Sequence, residues 1–135
     1  MMRPYFAATT LVVGLLLAGL VQPALACRCT DPSVKAAYKR ADAVARVHIL
    51  ADMTETDVQV FSTKAHVIKS WKMALPDDIT VVTGDDCAYR MTAGEDYILF
   101  LSSGGIATYA TYQCRGNRKV SDAKHVLKWL NKLRK

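Results

Sequence analysis

The 135-residue chain has no glycine-rich phosphate loop, no nucleophile elbow, and neither H-x-x-x-H nor C-x-x-C spacing. The first two absences exclude a phosphate cradle for nucleotides and serine hydrolysis of the α/β type. The last two remove the usual paired frameworks of catalytic and structural zinc, and no intrinsic metal or other cofactor is expected. Three histidines, His48, His66 and His125, are scattered along the chain, so no general base can be nominated and the chain reads as a non-enzyme. No internal repeat or low-complexity tract is visible. Acid is scarce: 12 Asp and Glu stand against 18 Lys and Arg, a net charge of +6 with histidine neutral. The acidic pairs Asp77-Asp78 and Asp85-Asp86 fall in predicted turns, where such residues are solvated caps rather than calcium ligands.

Only one long apolar run exists, from Ala7 to Val21. It is shorter than the roughly 20 residues a spanning helix needs. Arg3 precedes it and Pro23-Ala24-Leu25-Ala26 follows, which together describe a signal peptide over residues 1–26 with a small-residue cleavage site. Cutting after Ala26 leaves one domain, residues 27–135, and an exported protein, secreted or periplasmic. All four cysteines, Cys27, Cys29, Cys87 and Cys114, lie beyond the cut. An even count in a small exported chain reads as disulfides. A Cys27–Cys29 bridge would be too tight for ordinary geometry. Two pairings remain, crossed or nested, and each ties the N-terminus to Cys87 and Cys114. Chain ends normally fray, so two bridges converging on the first three residues imply a need for a rigid N-terminus.

Along the mature chain, Thr30-Asp31-Pro32-Ser33 is a helix-start signal, and Val34, Ala37, Tyr38 and Ala41 follow at helical spacing. Strands are expected at Ala43–Leu50, Val58–Trp71, Ile79–Thr83, Tyr97–Leu101 and Ala107–Tyr112, with a bulge near Phe61–Ser62 where the alternation changes phase. Ser121 reads as the N-cap of a terminal amphipathic helix carrying Ala123, Val126, Leu127, Leu130 and Leu133 on one stripe. The fold class is mainly β: a five-stranded Greek-key OB-fold barrel with a short N-terminal helix and a C-terminal amphipathic helix.

Cys27-Arg28-Cys29 at a freshly cut N-terminus resembles the start of the tissue inhibitors of metalloproteinases. The segments Ala41–Val47, Thr63–Met73 with Lys64, Val67, Ile68, Lys69 and Trp71, then Cys87, Gly94–Phe100 and Cys114 resemble that family's N-terminal domain in order, and the wider netrin-like module. The resemblance implies an OB-fold, the pairings Cys27–Cys87 and Cys29–Cys114, and a zinc metalloprotease as partner. It also implies a mechanism. The α-amine and carbonyl oxygen of Cys27 would chelate the protease's zinc in trans, displacing the water it activates. Arg28 would enter the primary specificity pocket, and Cys29, Thr30, Asp31 and Pro32 would form the flanking contact ridge. Arg28 departs from the family, which carries a small Thr or Ser there. A long cation loses its hydration in an apolar pocket, so either the target has an acidic pocket or the chain keeps the fold and not the activity. Ending after one domain with a helix looks like the short bacterial netrin-like proteins.

Two other features support a different reading. A cysteine directly after Leu25-Ala26 also opens a lipoprotein, although Ala24 stands where the usual lipobox has Leu; membrane attachment is expected only if Cys27 is lipidated. Lys124, Lys128, Lys132, Arg134 and Lys135 form a basic patch on and beyond the terminal helix. Such a patch suits an anionic partner of an extracellular or envelope binding module. Nucleic acid is not expected, because the protein is exported and aromatics are not interleaved with the lysines. A monomer is expected.

Overall fold

A computed structural model describes residues 27–133. The expected leader with its cleavage site, and Arg134 and Lys135 of the basic patch, lie outside the described residues. Ser33 Oγ accepts from the Ala36 amide at 3.2 Å, satisfying a donor that a helix start leaves open. Helix α1 spans Val34–Arg40, with Lys39 and Arg40 in its last turn, where cations suit the helix dipole. Seven strands follow: β1 (Ala43–Ile49), β2 (Thr54–Asp57), β3 (Val60–Lys72), β4 (Asp78–Gly84), β5 (Asp96–Ser103), β6 (Thr108–Ala110) and β7 (Arg118–Lys119). Helix α2 (Lys124–Lys132) ends the described chain. No described helix is long and apolar enough to cross a membrane.

Five strands close a barrel in the order β1-β3-β4-β6-β5 and back to β1. The neighbours are antiparallel except β4 and β6, which run parallel through Thr80–Thr108, Val81–Tyr109 and Val82–Ala110. The barrel is therefore mixed rather than an all-antiparallel Greek key. β2 extends β3 as a hairpin and β7 adds to β5.

β1 and β5 face two cores, which is why both are apolar on nearly every position. Ala43, Ala45, Val47, Ile49, Tyr97, Leu99 and Leu101 point into the barrel. Val44, Ile98 and Phe100 point outward and are covered by Ala37 and Ala41 at α1 and by Val126 and Leu130 of α2. The outward positions further along, Arg46, His48 and Asp96, escape the helices and are only partly buried. Burial on one face sets the register here, since a one-residue slip would turn every side chain over.

Several expectations require correction. The irregularity expected near Phe61–Ser62 lies on one edge of β3: β2 skips Thr56 between the Glu55–Phe61 and Asp57–Val60 pairs, while β3 pairs continuously with β4 from Val60–Gly84 to His66–Asp78. Two further irregularities fall at Ile68 and Trp71, which are skipped in the pairing of β3 with β1. Val58, whose apolar character suggested the phase change, is 82% exposed at the hairpin turn. Ser121 lies inside a 3₁₀ turn, Val120–Asp122, and α2 starts at Lys124 with Ala123 at its N-cap and no side-chain cap. β6 is shorter than Ala107–Tyr112.

Next to β5, Asn117 does the work of a missing strand. Its Oδ1 accepts from the Phe100 amide at 2.8 Å, and its Nδ2 donates to Thr111 Oγ1 at 2.7 Å and to the Tyr112 carbonyl at 3.0 Å. Thr111 Oγ1 in turn donates to the Phe100 carbonyl at 2.9 Å. Asn117, Thr111 and Phe100 are 2%, 0% and 1% exposed, so their groups cannot turn to water. Asn117→Ala strands the Phe100 amide and is expected to destabilise the protein by about 2–3 kcal/mol in urea unfolding.

Candidate functional site

Cys27 is bonded to Cys87 and Cys29 to Cys114, a crossed pairing that spans 60 and 85 residues. Each distal cysteine sits in a 3₁₀ turn at the end of a barrel strand, Asp85–Cys87 after β4 and Gln113–Arg115 beyond β6. Neither turn can move without disturbing the barrel, so the residues before α1 are fixed to its frame. The bridges lie side by side, with Cys27 Sγ 3.5 Å from Cys114 Sγ. The sulfurs of Cys27, Cys29 and Cys114 fall within 4.8 Å of one another. All belong to the two bridges, and no free cysteine exists among the described residues. The cluster offers no thiolate and cannot act as a thiolate metal site.

Arg28, Thr30 and Asp31 are exposed on this edge, and Pro32 is half-buried. Arg118 Nη2 donates to Asp31 Oδ2 at 3.0 Å, an ion pair that orients Asp31 while leaving its side chain 65% exposed. Behind the ridge, Gly116 adopts φ 95°, and a Cβ there would lie 2.9 Å from the Ala37 Cβ and 3.4 Å from Pro32 Cγ. Only glycine lets the chain beyond Cys114 pass this close to α1.

A cleft of about 420 Å³ opens beside the ridge between Pro32–Lys35 and α2, lined also by Arg118, His125 and Trp129. Trp129 is held edge-on to Tyr38 at 5.7 Å. Lys124, Lys128 and Lys132 are exposed one turn apart on α2, and the last two flank a smaller hollow of about 190 Å³ with His125 and Trp129. The basic residues predicted on the helix therefore share a surface, adjacent to the ridge and separate from it.

The histidines are less scattered than the sequence suggests. Arg46 donates to Asp96 Oδ2 through Nη2 at 2.7 Å and Nε at 3.2 Å, and His48 Nδ1 meets Asp96 Oδ1 at 2.7 Å. His66 Nδ1 lies 2.9 Å from Asp78 Oδ1. Burial raises the Asp96 pKa, but hydrogen bonds from Arg46 and His48 outweigh it and hold the carboxyl below its usual value. A depressed folded-state pKa contributes stability at neutral pH that is lost as acid protonates the folded carboxylate. Asp96→Asn should therefore flatten the loss of stability below about pH 4, read from urea midpoints across pH. Tyr89 is pushed up to about 12 by burial and by Tyr97 beside it, so it stays protonated.

Sequence reading missed this cluster and Asn117 because both depend on strand register. The one available signal was the alternation that places Arg46 and His48 on the polar face of an otherwise apolar strand. No protein-family model matches the chain, and no curated protein matches it.

Proposed function

We propose that the protein is an exported, single-domain netrin-like module on an OB-type barrel, and that it blocks a zinc endopeptidase through its N-terminal edge. The observation that carries this reading is the crossed pair of bridges, which anchors Cys27 and Cys29 to two barrel turns and leaves Arg28 exposed between them. After cleavage at Ala26, the Cys27 amine and carbonyl would form a five-membered chelate on the protease zinc. An unperturbed α-amine has a pKa of about 7.7–8, so near neutral pH the zinc itself can displace its proton. Because the wedge is already rigid, little ordering entropy is lost on binding. Arg28 would select a target with an acidic pocket, and Thr30 and Pro32 would flank it. In this reading the protein is a monomer with no catalytic role of its own.

The test starts with the intact mass of the exported protein. A mass for residues 27–135 less four hydrogens leaves a free amine and two bridges, and inhibition of zinc endopeptidases with acidic pockets is then expected. A lipid-sized adduct on Cys27, or a retained leader, overturns the chelation mechanism.

A second reading rests on the exposed row Lys124, Lys128 and Lys132 beside the α2 cleft. It makes the protein an envelope or extracellular binding module for an anionic partner. Binding that weakens steeply with salt and with Lys128→Ala and Lys132→Ala, while ignoring changes at Cys27, would favour it.

A further inference from the structure

The geometry points to a divalent transition-metal site between His48 and His66 on the outer face of the barrel. The two residues are direct register partners across antiparallel β1 and β3. His48 is also the partner of Asp96 across β1 and β5, and His66 the partner of Asp78 across β3 and β4. One row of side chains thus crosses four strands in the order Asp96, His48, His66, Asp78. The two imidazoles are in the middle and a carboxylate stands at each end.

The hydrogen bonds fix how the rings face. Each Nδ1 contacts a carboxylate oxygen, at 2.7 Å for His48 and 2.9 Å for His66. An ionised carboxylate only accepts, so each Nδ1 carries the proton, and the neutral ring keeps its lone pair on Nε2. Nε2 sits at the ring tip on the edge opposite Nδ1. Both Nδ1 atoms turn outward along the row, towards Asp96 and Asp78, so both Nε2 atoms lean inward towards each other. Directly opposite residues in an antiparallel pair have Cβ atoms about 4.5–5.5 Å apart, which lets two imidazoles reach one ion. A ligating histidine characteristically donates its other N–H to a carboxylate, which sets ring orientation and raises basicity. Here both rings already have that support.

The side chains are 40% and 50% exposed, so an ion would enter from solvent and complete its shell with water. Arg46 is bonded to Asp96 and neutralises it, whereas Asp78, 68% exposed, pairs with His66. The donor set is then two neutral imidazoles, which suits Zn²⁺, Ni²⁺ or Cu²⁺ rather than Ca²⁺ or Mg²⁺. This site is independent of the protease zinc in the proposed function, because it holds its ion on the protein itself and lies on the sheet face rather than at Cys27.

Zn²⁺ titrated into the oxidised protein tests it, with calorimetry for stoichiometry and imidazole ¹⁵N shifts for location. One saturable equivalent is expected, moving Nε2 of His48 and His66 and leaving His125 unmoved. His48→Gln and His66→Gln should each abolish saturable binding, whereas His125→Gln should retain it. Asp78→Ala should weaken affinity by about 10–100-fold by freeing the His66 ring. Absence of saturable binding to the wild type, a shift confined to His125, or wild-type affinity in either His48→Gln or His66→Gln would overturn the site. The wild-type shifts need no variant to fold, so the test stands even if a substitution disturbs the barrel.

Discussion

Replacing Cys29 and Cys114 together with alanine is expected to lower the unfolding free energy by about 3–4 kcal/mol. Taken alone, a bridge closing 85 residues would contribute about 4.6 kcal/mol by loop entropy. The pairing is crossed, however, and Cys27–Cys87 remains in the variant. The unfolded chain is then already looped, and the second bridge closes a path of roughly 30 residues, from Cys29 to Cys27, across that bridge to Cys87, and on to Cys114. The estimate for such a path is about 3.6 kcal/mol. By the same count, removing Cys27–Cys87 alone costs a similar amount, and removing both costs about 8 kcal/mol. That is comparable with the entire stability of a domain this size. Single-bridge variants should therefore fold with lowered urea midpoints, whereas the fully reduced protein should be unfolded at 37 °C. A loss below about 1 kcal/mol for either single variant would mean that the N-terminal edge is ordered by packing and that the bridges add little.

Much of the barrel is legible in the sequence, for a definite reason. β1, β3, β4 and β5 have runs in which burial on one or both faces forces an apolar pattern, and α1 carries a cap and stripe that need no tertiary context. β2 is not legible, because Thr54-Glu55-Thr56-Asp57 is exposed throughout and is a strand only through pairing with β3. β7 is two residues long, and its neighbour Asn117 supplies the bonds that a longer strand would have made. The bulges at Ile68 and Trp71 belong to the fit between β1 and β3 and leave no mark in either strand alone. The same limit applies to the sites. Cys27, Arg28 and Cys29 are adjacent in the chain and can be read together. His48 and His66 are 18 residues apart, and Asp96 and Asp78 join them only through register. A spacing search looks along one strand, whereas this row runs across four.

If the protein inhibits a zinc endopeptidase by the proposed chelation, adding one alanine before Cys27 is expected to weaken inhibition by about 10²–10³-fold, corresponding to about 3–4 kcal/mol. The extension converts the Cys27 amine into an amide nitrogen, which does not coordinate zinc at neutral pH, and moves the new amine one residue away from the carbonyl. The five-membered chelate can no longer form at Cys27; the equivalent amine and carbonyl now belong to the added alanine, which no bridge fixes, and its methyl and backbone occupy the space the zinc must approach. Everything else remains: both bridges form, Arg28 stays exposed between them, and the cores on either side of β1 are untouched. The urea midpoint should therefore match that of the unextended protein, which separates lost chelation from lost fold. Arg28→Ala provides the complementary measurement. It keeps the chelate and removes the pocket contact, so it should change which proteases are inhibited while leaving sensitivity to the extension intact. If the extended protein inhibits as well as the original, the N-terminal edge binds without reaching the zinc. Binding that instead falls steeply with salt and with Lys128→Ala and Lys132→Ala would move the function to the basic face of α2.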